Sequence, residues 1–225
     1  MNNPSSPGKG AILSAIVAGC IVSFIGFGFA ASFGIFLQPM SSDLEWPREV
    51  FSLSIAIQAL CWGFAQPLAG MVADRYGAAR VLAFGAVTSA LGFFIRGDVT
   101  DPAIFVISGV IVGIGTGACS FPVVIIALGK IVSARQRSLV MGLGTAAAST
   151  GMLVAAPMSQ LLLQAGGWQF AINVMAGGFL LILPFLVFIG RVSRPSIDRN
   201  HTGGIVPAIR VAFSDRSFVL LFAGF

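Results

Sequence analysis

The sequence predicts an all-α membrane protein: a six-transmembrane-helix bundle built as two inverted three-helix repeats, followed by the start of a seventh helix. Three observations carry this. Of 225 residues, 56% are hydrophobic and 9% charged, with a mean hydropathy of +0.95, whereas soluble domains carry about 25% charged residues. The charges cluster between uncharged stretches longer than the roughly 20 residues that a helix needs to cross a bilayer core. Finally, a pattern of Gly, Ser, Phe and Pro recurs at a spacing of 87–90 residues.

Residues 1–10 open with the polar, Pro-rich MNNPSSPGK and read as a disordered tail. The six-helix domain covers 11–190, with spans near Ala11–Met40, Val50–Val72, Arg80–Phe94, Ala103–Leu128, Ser138–Leu163 and Trp168–Gly190. The first apolar run is uncharged from Gly10 to Ser42, far beyond the 7–15 residue core of a signal peptide. A polar stretch at 191–216 forms a central loop, and SFVLLFAGF at 217–225 is the truncated start of a seventh span.

Positive charge sets the orientation. Lys9, Arg75, Arg80, Lys130, Arg135, Arg137, Arg191, Arg194, Arg199, Arg210 and Arg216 fall on one side, and only Arg48 and Arg96 on the other. The positive-inside rule therefore places the N-terminus and the central loop in the cytoplasm of a multi-pass protein of the cell (inner or plasma) membrane. The same distribution argues against nucleic acid as the reason for the net charge of +5. Cys20, Cys61 and Cys119 lie inside apolar runs and read as packing residues. With one histidine, His201, in the polar loop, no intramembrane metal site and no Ser–His pair is expected. An enzyme is not expected, nor is a cofactor.

The repeat pairs Gly26, Gly28, Ser32 and Phe33 with Gly113, Gly115, Ser120 and Phe121, and Pro67 and Gly77 with Pro157 and Gly167. Three spans separate the copies, so they insert with opposite topology, as in transporter halves. Small residues every four positions (Gly109, Gly113, Gly117; Gly26, Ala30, Gly34) predict close helix packing.

The turn GMVADRYGAAR, residues 70–80, concentrates charge between two apolar runs. Gly77 permits the turn, Gly70 a close helix approach, and Asp74 can face the positive end of a neighbouring helix. The stretch resembles the major facilitator superfamily signature G-x-x-x-D-[RK]-x-G-x-[RK] through Gly70, Asp74, Arg75, Gly77 and a displaced Arg80, with Ala78 and Ala79 where the fullest pattern has a basic pair. ARQRSLVMGLGTAAASTG resembles the junction of the fourth and fifth spans in monocarboxylate porters and oxalate–formate-type antiporters, through Arg137, Leu139, Gly142, Ala146 and Gly151.

The resemblance implies the N-terminal half of a major facilitator fold. It further implies alternating access around a midplane site, a conformational gate at residues 70–80, and a small organic anion as solute. Transport would be driven by a proton or counter-substrate gradient. Another substrate class, such as drug efflux, and a half that is inactive alone are the alternatives. The implied partners are the lipid bilayer, a missing C-terminal six-helix half or a second copy, and a small-molecule substrate. One departure is clear: animal monocarboxylate porters place a lysine in the first span, where this chain has Ala31 and Ser32.

Ionisable residues inside a membrane flag function, and none is expected at mid-depth here. Arg96 lies near a helix end and is expected to snorkel outward. The superfamily lines its cavity with the first and fourth spans of each half, so Ser32, Thr116 and Ser120 are the leading cavity candidates. Gln58 and Thr145 come next, and Phe33 and Phe121 are apolar walls. Trp46 and Trp168 are expected to be interfacial anchors.

Overall fold

Inside a bilayer each backbone N–H and C=O must find a partner within the protein, which favours helices. The computed structural model describes residues 8–129, 132 and 134–192, with the backbone alone at 9, 126, 127, 129, 134 and 135. The first span consists of α1 (Lys9–Ser32), a 3-10 turn (Phe33–Phe36) and α2 (Leu37–Asp43). The second is α3 (Arg48–Tyr76), the third α4 (Ala78–Gly97), and the fourth α5 (Pro102–Ala118) with α6 (Phe121–Gly129). α7 (Ala134–Leu180) and α8 (Leu183–Val192) complete the described helices. Helix begins at Lys9, inside the expected tail. Residues 1–7 of that tail, the central loop beyond Val192 and the seventh-span start lie outside the described residues.

The 47 residues of α7 would extend about 70 Å as one rod, twice a bilayer core of about 30 Å. Gly166 (φ −153°, ψ 16°) and Gly167 (φ 78°, ψ −178°) break it, and two antiparallel arms result. Both arms lie along the first span: Gly151 meets the Phe24 carbonyl, and Gly178 meets the Phe29 ring. The arms are the fifth and sixth spans, and α8 prolongs the sixth after a turn at residues 181–182. Pro184 in the first turn of α8 explains that break, because its ring excludes a helical bond to the preceding turn.

Local chemistry fixes other ends. The Asp101 carboxylate accepts from the N–H groups of Ala103 (2.7 Å) and Ile104 (3.3 Å), and Pro102 follows it. An N-cap of this kind contributes about 1 kcal/mol, and proline suits the first helical position.

The repeat has a structural counterpart. Gly77 (φ 94°) and Gly167 are the glycines with positive φ among the described residues, and each closes a helix ten residues after an internal proline, Pro67 or Pro157. The matched pairs Ser32–Phe33 and Ser120–Phe121 both fall on interruptions, in the first and fourth spans.

Packing is close where glycines allow it. A Cβ at Gly113 would lie 2.5 Å from the Gln58 carbonyl oxygen, and one at Gly109 2.7 Å from that of Ser54. The Gly109–Gly113–Gly117 stripe therefore seats α3 on α5. On the first span the expectation fails at Gly34, which has open space around it. A column of rings ties five spans together: Phe51–Phe105 at 4.9 Å, Phe33–Phe93 at 6.0 Å, Phe93–Phe179 at 5.4 Å and Phe29–Phe179 at 5.7 Å. Trp168 differs from the expected anchor: it is buried, and its indole donates to Asp43.

Candidate functional site

The charged turn sits at the junction of α3 and α4. Gly77 donates its N–H to Ala73 O at 2.9 Å, and its backbone (φ 94°, ψ 136°) lets α4 start at the next residue. Asp74, Arg75 and Arg80 project from the bundle, whereas Gly77 is buried. The Arg75 guanidinium lies 5.5 Å from the Tyr76 ring centre. Tyr76 and Arg80 end an apolar groove of about 540 Å³, whose walls include Phe64, Leu68, Phe84 and Ile114. None of the cavity candidates lines that groove.

The junction of the fourth and fifth spans divides into two kinds of residue. Gly151 is pressed on the Phe24 backbone, but a Cβ at Gly142 would meet nothing within 4 Å beyond its own helix, and Arg137 is exposed.

The cavity candidates scatter. Ser32 is buried, donates to Phe29 O (3.3 Å) and accepts from Ser159 Oγ (3.2 Å). The Thr116 hydroxyl returns to Val112 O at 2.7 Å and the Thr145 hydroxyl to Met141 O at 3.0 Å; the first side chain is buried and the second exposed. The Ser120 hydroxyl is buried with no partner. Phe121 packs on Gly144. Only Phe33 and Gln58 come together, and a residue expected elsewhere joins them.

That residue is Arg96. Rather than snorkelling outward, it is fully buried. Its Nε donates to Ser108 Oγ (2.9 Å), Nη1 to Gln58 Oε1 (2.8 Å) and Nη2 to Ser54 Oγ (3.0 Å). The guanidinium carbon lies 4.3 Å from the Phe33 ring centre and 5.3 Å from that of Phe105. Helix register explains the difference: Gly85, Ser89, Gly92 and Arg96 follow the spacing of one α4 face, and all four are buried. Side chains from α3, α4 and α5 thus meet behind the first-span break.

Residues 18–225 match the sequence profile of the Major Facilitator Superfamily. The chain belongs to the Major Facilitator Superfamily. Relatives in this superfamily include the uncharacterized MFS-type transporter YcxA of Bacillus subtilis (strain 168), 27% identical over 71% of this chain and 40% of its own length. Monocarboxylate transporter 4 of Rattus norvegicus is 26% identical over 86% of this chain and 40% of its own length. Monocarboxylate transporter 12 of Mus musculus is 26% identical over 80% and 37%. The chain therefore spans about two fifths of these relatives, which are membrane transporters and not enzymes. A crystal structure of the peptide transporter POT (E310Q mutant) in complex with alafosfalin superposes with a TM-score of 0.68, at 16% identity, over 98% of this chain and 48% of that one. It shares the superfamily fold, which agrees with an N-terminal half. Major facilitator transporters bind small-molecule substrates within the membrane, and the apolar helices make this chain a multi-pass membrane protein.

Proposed function

We propose that this chain is the N-terminal half of a secondary transporter that moves small, monocarboxylate-like organic anions across a cell membrane by alternating access. The carrying observation is the recurrence of monocarboxylate transporters among relatives that align over 80–88% of this chain. A sugar phosphate exchanger of Bos taurus, 27% identical over 58% of this chain, adds a second anionic solute class. A proton or counter-substrate gradient drives transport, with no cofactor. The positive-inside bias of the sequence, eleven basic residues in one set of loops against two in the other, favours a cytoplasmic N-terminus and central loop.

The half works with a second six-helix half, on the same polypeptide or from another copy. Ser149 supports this, because it is exposed on the fifth span. Polar groups there suit a wet cavity or a helix partner better than lipid. Asp74 and Arg75 form the gate with that second half.

Uptake of labelled lactate by the full-length protein in proteoliposomes, with and without an inward proton gradient, tests the proposal. Gradient-stimulated uptake that Asp74→Asn slows supports both parts. Unchanged uptake in that variant removes the gate role. Export of apolar cations without lactate uptake would instead place the protein among drug-efflux transporters.

A further inference from the structure

Arg96 is the only charged side chain among the fully buried residues described. An ion moved from water into a protein interior costs several kcal/mol even after relaxation, and is normally offset by an opposite charge. Here every acceptor is neutral: two serine hydroxyls and one amide oxygen. Among the described residues no carboxylate pairs with it. Three of the five guanidinium N–H groups are used, and the guanidinium carbon lies over the Phe33 and Phe105 rings. These contacts hold the group in place without cancelling its charge.

A charge in low-dielectric surroundings acts over several ångströms. The ring nearest to this one, Phe33, opens the 3-10 interruption of the first span, directly after Ser32. Gln58 brings the same field to the second span. We propose that Arg96 is a charge-selectivity residue. From behind Phe33 and Gln58, and without touching the solute, it favours an anion over a neutral or cationic solute at the first-span break. The proposal rests on the organic-anion function above and names the group that sets its sign.

A purely structural tie between α3, α4 and α5 would also use this cage, so the test must separate charge from tethering. Gln58→Glu does so: it is nearly isosteric, keeps an acceptor for Nη1, and neutralises the cage. Arg96→Lys keeps the charge and loses the fork, and Arg96→Gln removes the charge. The readout is the preference for lactate over neutral lactamide, taken as the ratio of their inhibition constants for labelled-lactate uptake by the full-length protein in proteoliposomes.

Wild type and Arg96→Lys should prefer lactate. Gln58→Glu and Arg96→Gln should lose about tenfold or more of that preference. If Arg96→Gln does not fold, Gln58→Glu decides. A folded Gln58→Glu protein with wild-type preference overturns the selectivity role and leaves the organic-anion function standing. A wild type that takes up no carboxylate overturns both.

Discussion

The Trp168 indole Nε1 donates to Asp43 Oδ2 across 2.8 Å, tying the start of the sixth span to the end of the first. A hydrogen bond to a charged group contributes about 1.5–3 kcal/mol. Trp168→Phe and Asp43→Ala should each lower stability by about 1–2 kcal/mol in thermal melts of the detergent-solubilised protein. Because they remove one shared bond, the double variant should fall short of the summed losses. Fully additive losses would show that the pair is not coupled.

Gly77 and Gly167 hold φ of 94° and 78°, a region that costs an L side chain about 1–2 kcal/mol. Alanine at either position should destabilise by more than about 1 kcal/mol. Gly63 is the control, since it lies within α3 with open space around its Cα. Alanine there should be neutral or stabilise by about 0.5–1 kcal/mol, as in any helix interior. Equal melting shifts at all three positions would remove backbone strain as the reason for these turns.

The spans and their turns were legible in the sequence because each rests on local chemistry: apolar length, the φ freedom of Gly77, and the recurrence of Gly77 as Gly167. The small-residue stripe on the fourth span was legible for the same reason. Arg96 was not. Its distance from the end of α4 suggested an outward reach, yet the face it occupies is set by Gly85, Ser89 and Gly92 packing on the fourth span. The clue was there in that spacing, together with Ser54 and Gln58 one turn apart on α3. Neither pattern names its partner until the helices are placed. Thr116 and Thr145 show a second limit: helix position made both cavity candidates, and only the placed helices show the first buried and the second exposed, each with its hydroxyl bonded to its own backbone.

The junction glycines should respond differently to bulk. A side chain at Gly151 would run into the Phe24 backbone, whereas a Cβ at Gly142 would meet nothing within 4 Å beyond its own helix. Gly151→Val should cost at least about 1–3 kcal/mol, because backbone cannot move aside as a side-chain tip can. A sharp fall in monodisperse protein on size exclusion is the expected result, with Gly142→Val close to wild type. Similar yields for both would mean that the first and fifth spans do not cross at Gly151.

Ser120 and Ser32 make the last contrast. Both are buried at span interruptions, but the Ser32 hydroxyl bonds to Phe29 O and Ser159 Oγ, while that of Ser120 has no partner. An unmade buried hydrogen bond carries a desolvation cost of about 1–3 kcal/mol. Ser120→Ala should therefore melt at or above the wild-type temperature, whereas Ser32→Ala should lose about 1 kcal/mol. Transport separates the two further. If the Ser120 hydroxyl meets the solute, Ser120→Ala slows lactate uptake in a protein that is no less stable. Wild-type uptake by that variant would make Ser120 a helix-break residue alone.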